Sequence, residues 1–302
     1  MRKTIVSLVA LAALVLLQPR GFAWSSAGHM VIAAEAFREL PPTLKFKAVK
    51  ILESHPDYAK WQKAFAVGLP DVDLETYVFL RASTWPDEIH KTPNPFDHPH
   101  WHFIDYPLRP PSFPMEPGPA PEDDILYGIA QCEKILSDTN SSPELKAVHL
   151  SYLIHLVGDV HQPLHCASLF DSTYPNGDRG GNEFYVKPGA KGISLHRFWD
   201  GLLGTSIYSS TQINYATKLV SENPRTSLPE LKKDKTPKEW SLESRTLAID
   251  KVYLRGDLKG STIPQTAPAL PIGYSKAAKE VAEKRAALAG YRLRDEIQKY
   301  VH

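Results

Sequence analysis

Cysteine is scarce in this 302-residue chain; only Cys132 and Cys166 are present. Disulfides are therefore not its main staple, which leaves packing and bound metal to hold it. The spacing of the two does not say whether they pair. An excess of charge of either sign is also missing. The 35 lysines and arginines face 34 aspartates and glutamates, for a formal net charge of +1. So balanced a chain has no long-range field to gather a polyanion, although a bound metal could attract phosphate locally. Nor is there an apolar run of about 20 residues, the length that spans a bilayer. The run from Ile5 to Leu17 falls short and reads as a secretory signal. Arg2 and Lys3 precede it, and Gly21 and Ala23 supply the small residues before a cleavage point.

Residues 1–23 are thus expected to be a signal peptide and 24–302 a single domain, secreted or periplasmic after cleavage, with no membrane span in the mature chain. The mature chain would begin with Trp24, whose free α-amino group lies five residues from His29. An amine and an imidazole so placed can grip one metal ion. Asn140-Ser141-Ser142 is a glycosylation sequon.

Helical periodicity dominates the rest. It covers 27–40, 43–54, 122–137, 143 to about 160, 194–203 and 274–300. The fourth of these is apolar on every side, as a buried central helix would be. The 26 prolines gather at 94–122, 223–237 and 264–271, which read as loops. The first stretch is long for a structureless loop and suggests a functional role. Glu183 to Val186 is the best of a few weak strand signals. The expected fold is all-α: a single mostly helical domain with long loops.

The chemistry concentrates in histidines and aspartates. His155 and Asp159 are spaced i, i+4 on the apolar helix, so both point from one face. A surface salt bridge is the bland reading of such a pair, but an unpaired carboxylate on a buried helix is too costly for that. Pro163 follows, and by ending or kinking the helix it could return His165 to the same cavity. His196 and Asp200 repeat the i, i+4 pair. Earlier come Asp87, after Trp85-Pro86, and His102 and Asp105 in a segment whose alternation suggests an extended strand. His98 and His100 are expected to be loop histidines. Trp24, His29, Asp87, His102, His155, Asp159, His165, His196 and Asp200 make nine donors. At three protein ligands per catalytic zinc, with one position open for water, they suit three ions. Imidazole and carboxylate without thiolate suit zinc.

In order and spacing these pieces resemble the zinc-dependent single-strand nucleases of the S1/P1 family. The resemblance runs from Trp24 with Gly28-His29, through Trp85-Pro86-Asp87, His102-Phe103-Ile104-Asp105 and His155-Leu156-Val157-Gly158-Asp159. It continues with Gln162-Pro163-Leu164-His165, Gly180-Gly181-Asn182, Leu195-His196 with Trp199-Asp200, and Ala289-Gly290-Tyr291-Arg292-Leu293. It implies a helical fold around a trinuclear zinc cluster. Asp87, His102, His155 and Asp159 would hold one zinc. Trp24 and His29, with Asp159 bridging, would hold a second, and His165, His196 and Asp200 a third. Asp87 and Asp159 would also serve catalysis, through zinc-activated hydroxide that cleaves single-stranded DNA and RNA to 5′-phosphate products, with 3′-nucleotides as a further substrate class. Phe103 would stack on a base, Asp105 accept a hydrogen bond from it, and Asn182 shape the rim. No obligate protein partner is implied.

The chain departs from the family pattern in two places. Three residues after Asp87, where many members carry Lys or Arg near substrate phosphate, it has His90, with Lys91 next. The segment 166–181 is longer than the shortest family versions and could be a lid, an extra subsite or a surface excursion. Two rival functions remain at this point. One is a zinc-dependent phospholipase C, whose last ligand is typically Glu rather than Asp. The other is an exported zinc-binding protein without catalysis.

Overall fold

Six helices among the described residues start on a side-chain cap, each worth about 1 kcal/mol. The computed structural model describes residues 24–68, 70–91, 93–110, 122–206 and 208–301, so the expected signal segment 1–23 and part of the proline-rich stretch, 111–121, lie outside the described residues. Ser25 Oγ accepts from Gly28 N and opens α1 (Ser26–Glu39). Pro41 and Pro42 then break the chain and restart it as α2 (Pro42–Leu52). The helices α3 (Tyr58–Gly68) and α4 (Leu74–Ala82) follow, the latter capped by Asp73. Next is the short α5 (Trp85–Ile89), with Pro86 in its first turn, where a missing N–H costs nothing. Asp124 caps α6 (Ile125–Ser137), Ser142 caps α7 (Pro143–Asp159) and Ser194 caps α8 (Leu195–Asp200). The chain ends through α9 (Ser209–Glu222), α10 (Glu230–Lys233), α11 (Pro237–Leu247), which has a full Thr236/Glu239 capping box, and the long α12 (Tyr274–Tyr300).

The fold is mostly helical, as expected, and α7 is its axis: every residue from Leu150 to Asp159 is buried. It packs against α2, α6 and α12, while α1 lies across α12, α9 and α4. One large core of aromatic and aliphatic side chains fills this bundle, from Trp24 and Trp61 to Leu293 and Val301. A second, smaller core of Leu164, Phe184, Trp199, Tyr253 and Tyr274 sits under the loop side. The strands are two residues long: β1 (Pro107–Leu108) runs parallel to β2 (Ser168–Leu169), and β3 (Tyr185–Val186) antiparallel to β4 (Ile193–Ser194). No helix among the described residues is long and apolar enough to cross a membrane. Cys132 and Cys166 are buried free thiols.

The structure corrects several local expectations. Trp85-Pro86-Asp87, for which the sequence suggested no element, forms the first turn of a helix. The segment around His102 is no strand; Pro99–His102 is a 3-10 turn, after which the backbone extends at Phe103. Proline at the head of the turn and the His98–Trp101 ring stack, with centroids 3.9 Å apart, favour the compact form. The stretch 223–237 is only partly loop, since it contains the turn Arg225–Ser227 and α10. The helices α3, α4, α9 and α11 were not anticipated. In α3 only Trp61 is buried, so its apolar stripe is too thin to stand out.

The end of α7 is tied from behind by a buried charge network. Arg285 Nε donates to the His161 carbonyl at 3.1 Å, and Arg292 Nη1 to His161 Nε2 at 2.8 Å. His161 Nδ1 in turn donates to the Val157 carbonyl at 2.7 Å. Both guanidiniums close on Glu243, Arg292 at 2.7 Å and Arg285 at 2.5 Å. Burial pushes the Glu243 carboxyl up, but the two arginines outweigh it and hold it at about 2. Glu243→Gln leaves two buried guanidiniums without their counter-charge and is expected to destabilise the protein by about 3 kcal/mol in denaturant titration. The pH dependence has a definite sign. The folded carboxyl lies below its ordinary 4.5, so its contribution is complete above 4.5 and drains away as pH falls toward about 2. The Gln variant should lack that acid-side loss, and an identical acid profile would count against the network.

Candidate metal centre

The last turns of α7 carry His155 and Asp159, both wholly buried. Asp159 is the meeting point. Its Oδ2 lies 3.2 Å from His155 Nε2 and 3.1 Å from His102 Nδ1, and its Oδ1 lies 3.3 Å from His29 Nε2. Asp87, in α5, brings Oδ1 to 3.5 Å from His155 Nε2 and 3.7 Å from His102 Nδ1. His29, on α1, stacks on His155 with ring centroids 3.9 Å apart. Gly158 makes room for that approach, because a Cβ there would stand 3.0 Å from His29 Nδ1 and the ring would have to give by a few tenths of an ångström. A second group lies in the same cavity: His165 Nε2 is 3.2 Å from His196 Nε2, and Asp200 Oδ2 is 3.5 Å from the latter. The turn Pro163–Cys166 returns His165, as Pro163 suggested. Ile104 N donates to its carbonyl at 2.8 Å.

The residues behind the rings decide what the rings present. Nδ1 of His155 donates to the Ser83 carbonyl at 2.7 Å, Nδ1 of His165 to the His102 carbonyl at 2.6 Å, and Nδ1 of His196 to the Gly180 carbonyl at 2.7 Å. A carbonyl only accepts, so each ring carries a proton on Nδ1, and the neutral ring turns a lone pair inward at Nε2. Nitrogens and carboxylates gathered so closely repel their own kind unless a cation lies among them. Burial pushes His29 and His165 below the ordinary histidine range, whereas at His155 burial is outweighed by Asp159 and Asp87, which hold the ring well above it, so the carboxylates there call for a positive charge. Burial also drives the Asp200 carboxyl well up, against a 2.8 Å hydrogen bond from Gln162 Nε2. Asp87 is likewise pushed up by burial, but His155, His102 and His29 overcome this and hold it at about 2. The donor set therefore fits a metal ion, and its imidazoles and carboxylates are compatible with zinc.

Among the described residues, ligand atoms converge in sets of three: His102, His155 and Asp159; His29, Asp87 and His155; Asp87, His90 and His102; and His165, His196 and Asp200. Eight of the nine anticipated donors thus come together through their side chains. Trp24 stands beside them. It is fully buried, its Nε1 donates to the Gly158 carbonyl at 3.0 Å, and the next residue, Ser25, donates from N to the Asp200 carbonyl at 3.0 Å.

A cavity of about 330 Å³ opens onto both groups. Phe103, Asp105 and Asn182 line it, together with His90, His100 and Arg179. Burial, then the neighbouring Asp178, raises Asp105 to about 6. Asn182 Nδ2 donates to the Arg179 carbonyl at 2.9 Å. His90 is turned inward: its Nε2 lies 3.2 Å from His102 Nε2, and its Nδ1 lies against the Asp97 carboxylate. Lys91 is exposed and is not among the residues lining the cavity. His100 pairs with Asp123 at 2.9 Å at the cavity edge. The segment 166–181 is no mere surface excursion, since Asp178 is buried and its Oδ2 accepts from Tyr253 at 2.6 Å. Sequence reasoning missed Gln162 as the partner of Asp200, Asp97 as the partner of His90, and Arg179. Only the first left a signal, an amide immediately before the turn that returns His165.

The family model for S1/P1 nuclease matches residues 24–302. Endonuclease 3 of Arabidopsis thaliana is 25% identical over 313 residues, covering 97% of this chain and 93% of its own. Nuclease S1 of Aspergillus oryzae is 26% identical over 253 residues, covering 73% and 78%. Nuclease P1 of Penicillium citrinum is 28% identical over 180 residues, covering 59% and 57%.

Proposed function

Because the chain belongs to the S1/P1 nuclease family and is an endonuclease that hydrolyses phosphodiester bonds, we propose that it is an exported, zinc-dependent enzyme that prefers single-stranded DNA and RNA and leaves 5′-phosphates. Three zinc ions per chain would be held by Asp87, His102, His155 and Asp159, by Trp24 and His29 with Asp159 shared, and by His165, His196 and Asp200. Zinc when bound lowers the pKa of water from about 15.7 toward roughly 7 and offsets the charge of a phosphate in reaction. The observation that carries this reading is the convergence of the inward Nε2 atoms of His155, His165 and His196 with the carboxylates of Asp87, Asp159 and Asp200.

The chain's own residues supply orientation. Ser83, His102 and Gly180 use backbone carbonyls to fix three rings, so no ring has to reorganise during turnover. Phe103 and Asp105 face the cavity, where one would stack on a base and the other accept a hydrogen bond from its edge. A base reaches them only when it is unpaired and unstacked, which disfavours duplex. The expected role of His90 is narrower than phosphate binding. Engaged with Asp97 and His102, it would steady the His102 ring.

The test is release of acid-soluble nucleotides from single-stranded DNA by protein that begins at Trp24, with and without a zinc chelator. Release that stops on chelation and returns with zinc is expected. Zinc-loaded protein that leaves single strands intact but hydrolyses lecithin would put phospholipase C in its place.

A further inference from the structure

Arg179 is the only lysine or arginine among the described residues that line the cavity. Otherwise the lining offers aspartates, histidines, Phe103 and neutral groups, a poor lodging for a polyanion. Arg179 also has a backbone that resists it. Its φ is +56°, in the left-handed region that favours glycine, and it precedes two glycines at +61° and +78°. The turn is held on both sides. Asp178 before it is anchored by Tyr253 and Leu169, and Gly180 after it offers its carbonyl to His196. A Cβ on Gly180 would meet the Leu164 carbonyl at 2.5 Å, so glycine is obligatory there. At position 179 the arginine is exposed, so packing does not require its side chain. Strain kept where a glycine would be easier points to a functional side chain.

The groups facing Arg179 leave it available. Glu183 Oε1 is 3.8 Å from Nη1, with both side chains about half exposed, and such a pair is weak. Asp105 lies close enough to feel the charges of both Asp178 and Arg179. A guanidinium on a cavity rim, weakly paired and next to the metal-ligand shell, has the geometry to fork onto a phosphate.

We propose that Arg179 grips a backbone phosphate of the nucleic-acid strand, taking the basic role that His90 has left. This rests on the nuclease reading above and adds a strand-binding residue to it. The test is Arg179→Gly in the zinc-loaded protein, assayed on a single-stranded oligonucleotide over a range of salt. KM should rise about tenfold with kcat within twofold, as expected when a uniform binding contact is lost. The slope of log kcat/KM against log salt should become shallower by about 0.7, the increment for one phosphate contact on a single strand. Tm should hold or rise, because the strain is relieved. Arg179→Lys should keep the salt slope.

Arg255→Gly is the control. Arg255 has φ +58°, is exposed and lies outside the cavity lining, so it relieves similar strain and removes one charge. Its KM and slope should match the wild type. An active wild type with unchanged KM and slope in Arg179→Gly overturns the proposal alone. A lowered Tm and kcat with an unchanged slope would make Arg179 structural and also overturn it. A zinc-loaded wild type that cleaves no single strand would overturn the parent reading, and this one with it.

Discussion

Asp159→Ala is expected to lose bound zinc and nuclease activity together while the protein remains folded. The carboxylate meets three imidazoles, with Oδ1 toward His29 and Oδ2 toward His102 and His155, and has no exposure to solvent. Its two oxygens reach ligands carried by α1, by α7 itself and by the Pro99–His102 turn. Removing a partner one step behind a metal ligand costs about 10- to 100-fold in metal affinity or activity. Removing a shared ligand should therefore exceed about 100-fold. Folding is expected to survive because the chain also loses a buried carboxylate whose charge is costly without a cation. The measurements are zinc per chain after dialysis, kcat/KM on single-stranded DNA, and thermal unfolding of both proteins after chelation. A variant that keeps full zinc and activity would remove Asp159 from the centre. His161→Ala separates a ligand loss from a packing loss. It should keep its zinc, yet unfold more readily, because His161 Nε2 is the acceptor for Arg292 and its ring is buried.

In protein that begins at Trp24, one residue added ahead of it should cost about one zinc per chain and at least about 100-fold in activity. Trp24 is fully buried, with its indole held to Gly158 and its neighbour Ser25 held to Asp200. These bonds join the start of α1 to the two helices, α7 and α8, that bring Asp159 and Asp200. A free α-amine at Trp24 has a lone pair to offer a metal. An added residue turns it into an amide nitrogen, which has none to give. The indole contacts can persist, so the defect should appear in zinc content before it appears in Tm. Protein extended at its other end is the matched control. Full zinc occupancy with unchanged activity in the extended form would refute the terminal-ligand assignment.

Much of the site was legible because helix geometry is local. The pairs His155/Asp159 and His196/Asp200 follow from 3.6 residues per turn, and both sit on helices in the structure. The apolar run of α7 likewise announced its burial. Short elements were less legible. The alternation around His102 read as a strand, whereas a proline and a ring stack settle it as a 3-10 turn. The helices with thin apolar stripes, such as α3, escaped because tertiary packing rather than their own pattern sustains them.

From residue order alone came the nine donor types, the two i, i+4 pairs, the proline that turns His165 back, and the likeness to a family. Those depend on covalent spacing and local backbone preference. Which donors meet did not follow from it. Trp24 and Gly158 are 134 positions apart and touch only because α1 packs across the bundle. The inward Nε2 lone pairs exist because Ser83, His102 and Gly180 place carbonyls behind three rings. His90 was turned from substrate toward His102 by Asp97, and Arg179 was brought to the cavity by a strained turn anchored on Tyr253. Such choices belong to the tertiary structure, since each depends on side chains that only long-range packing makes neighbours.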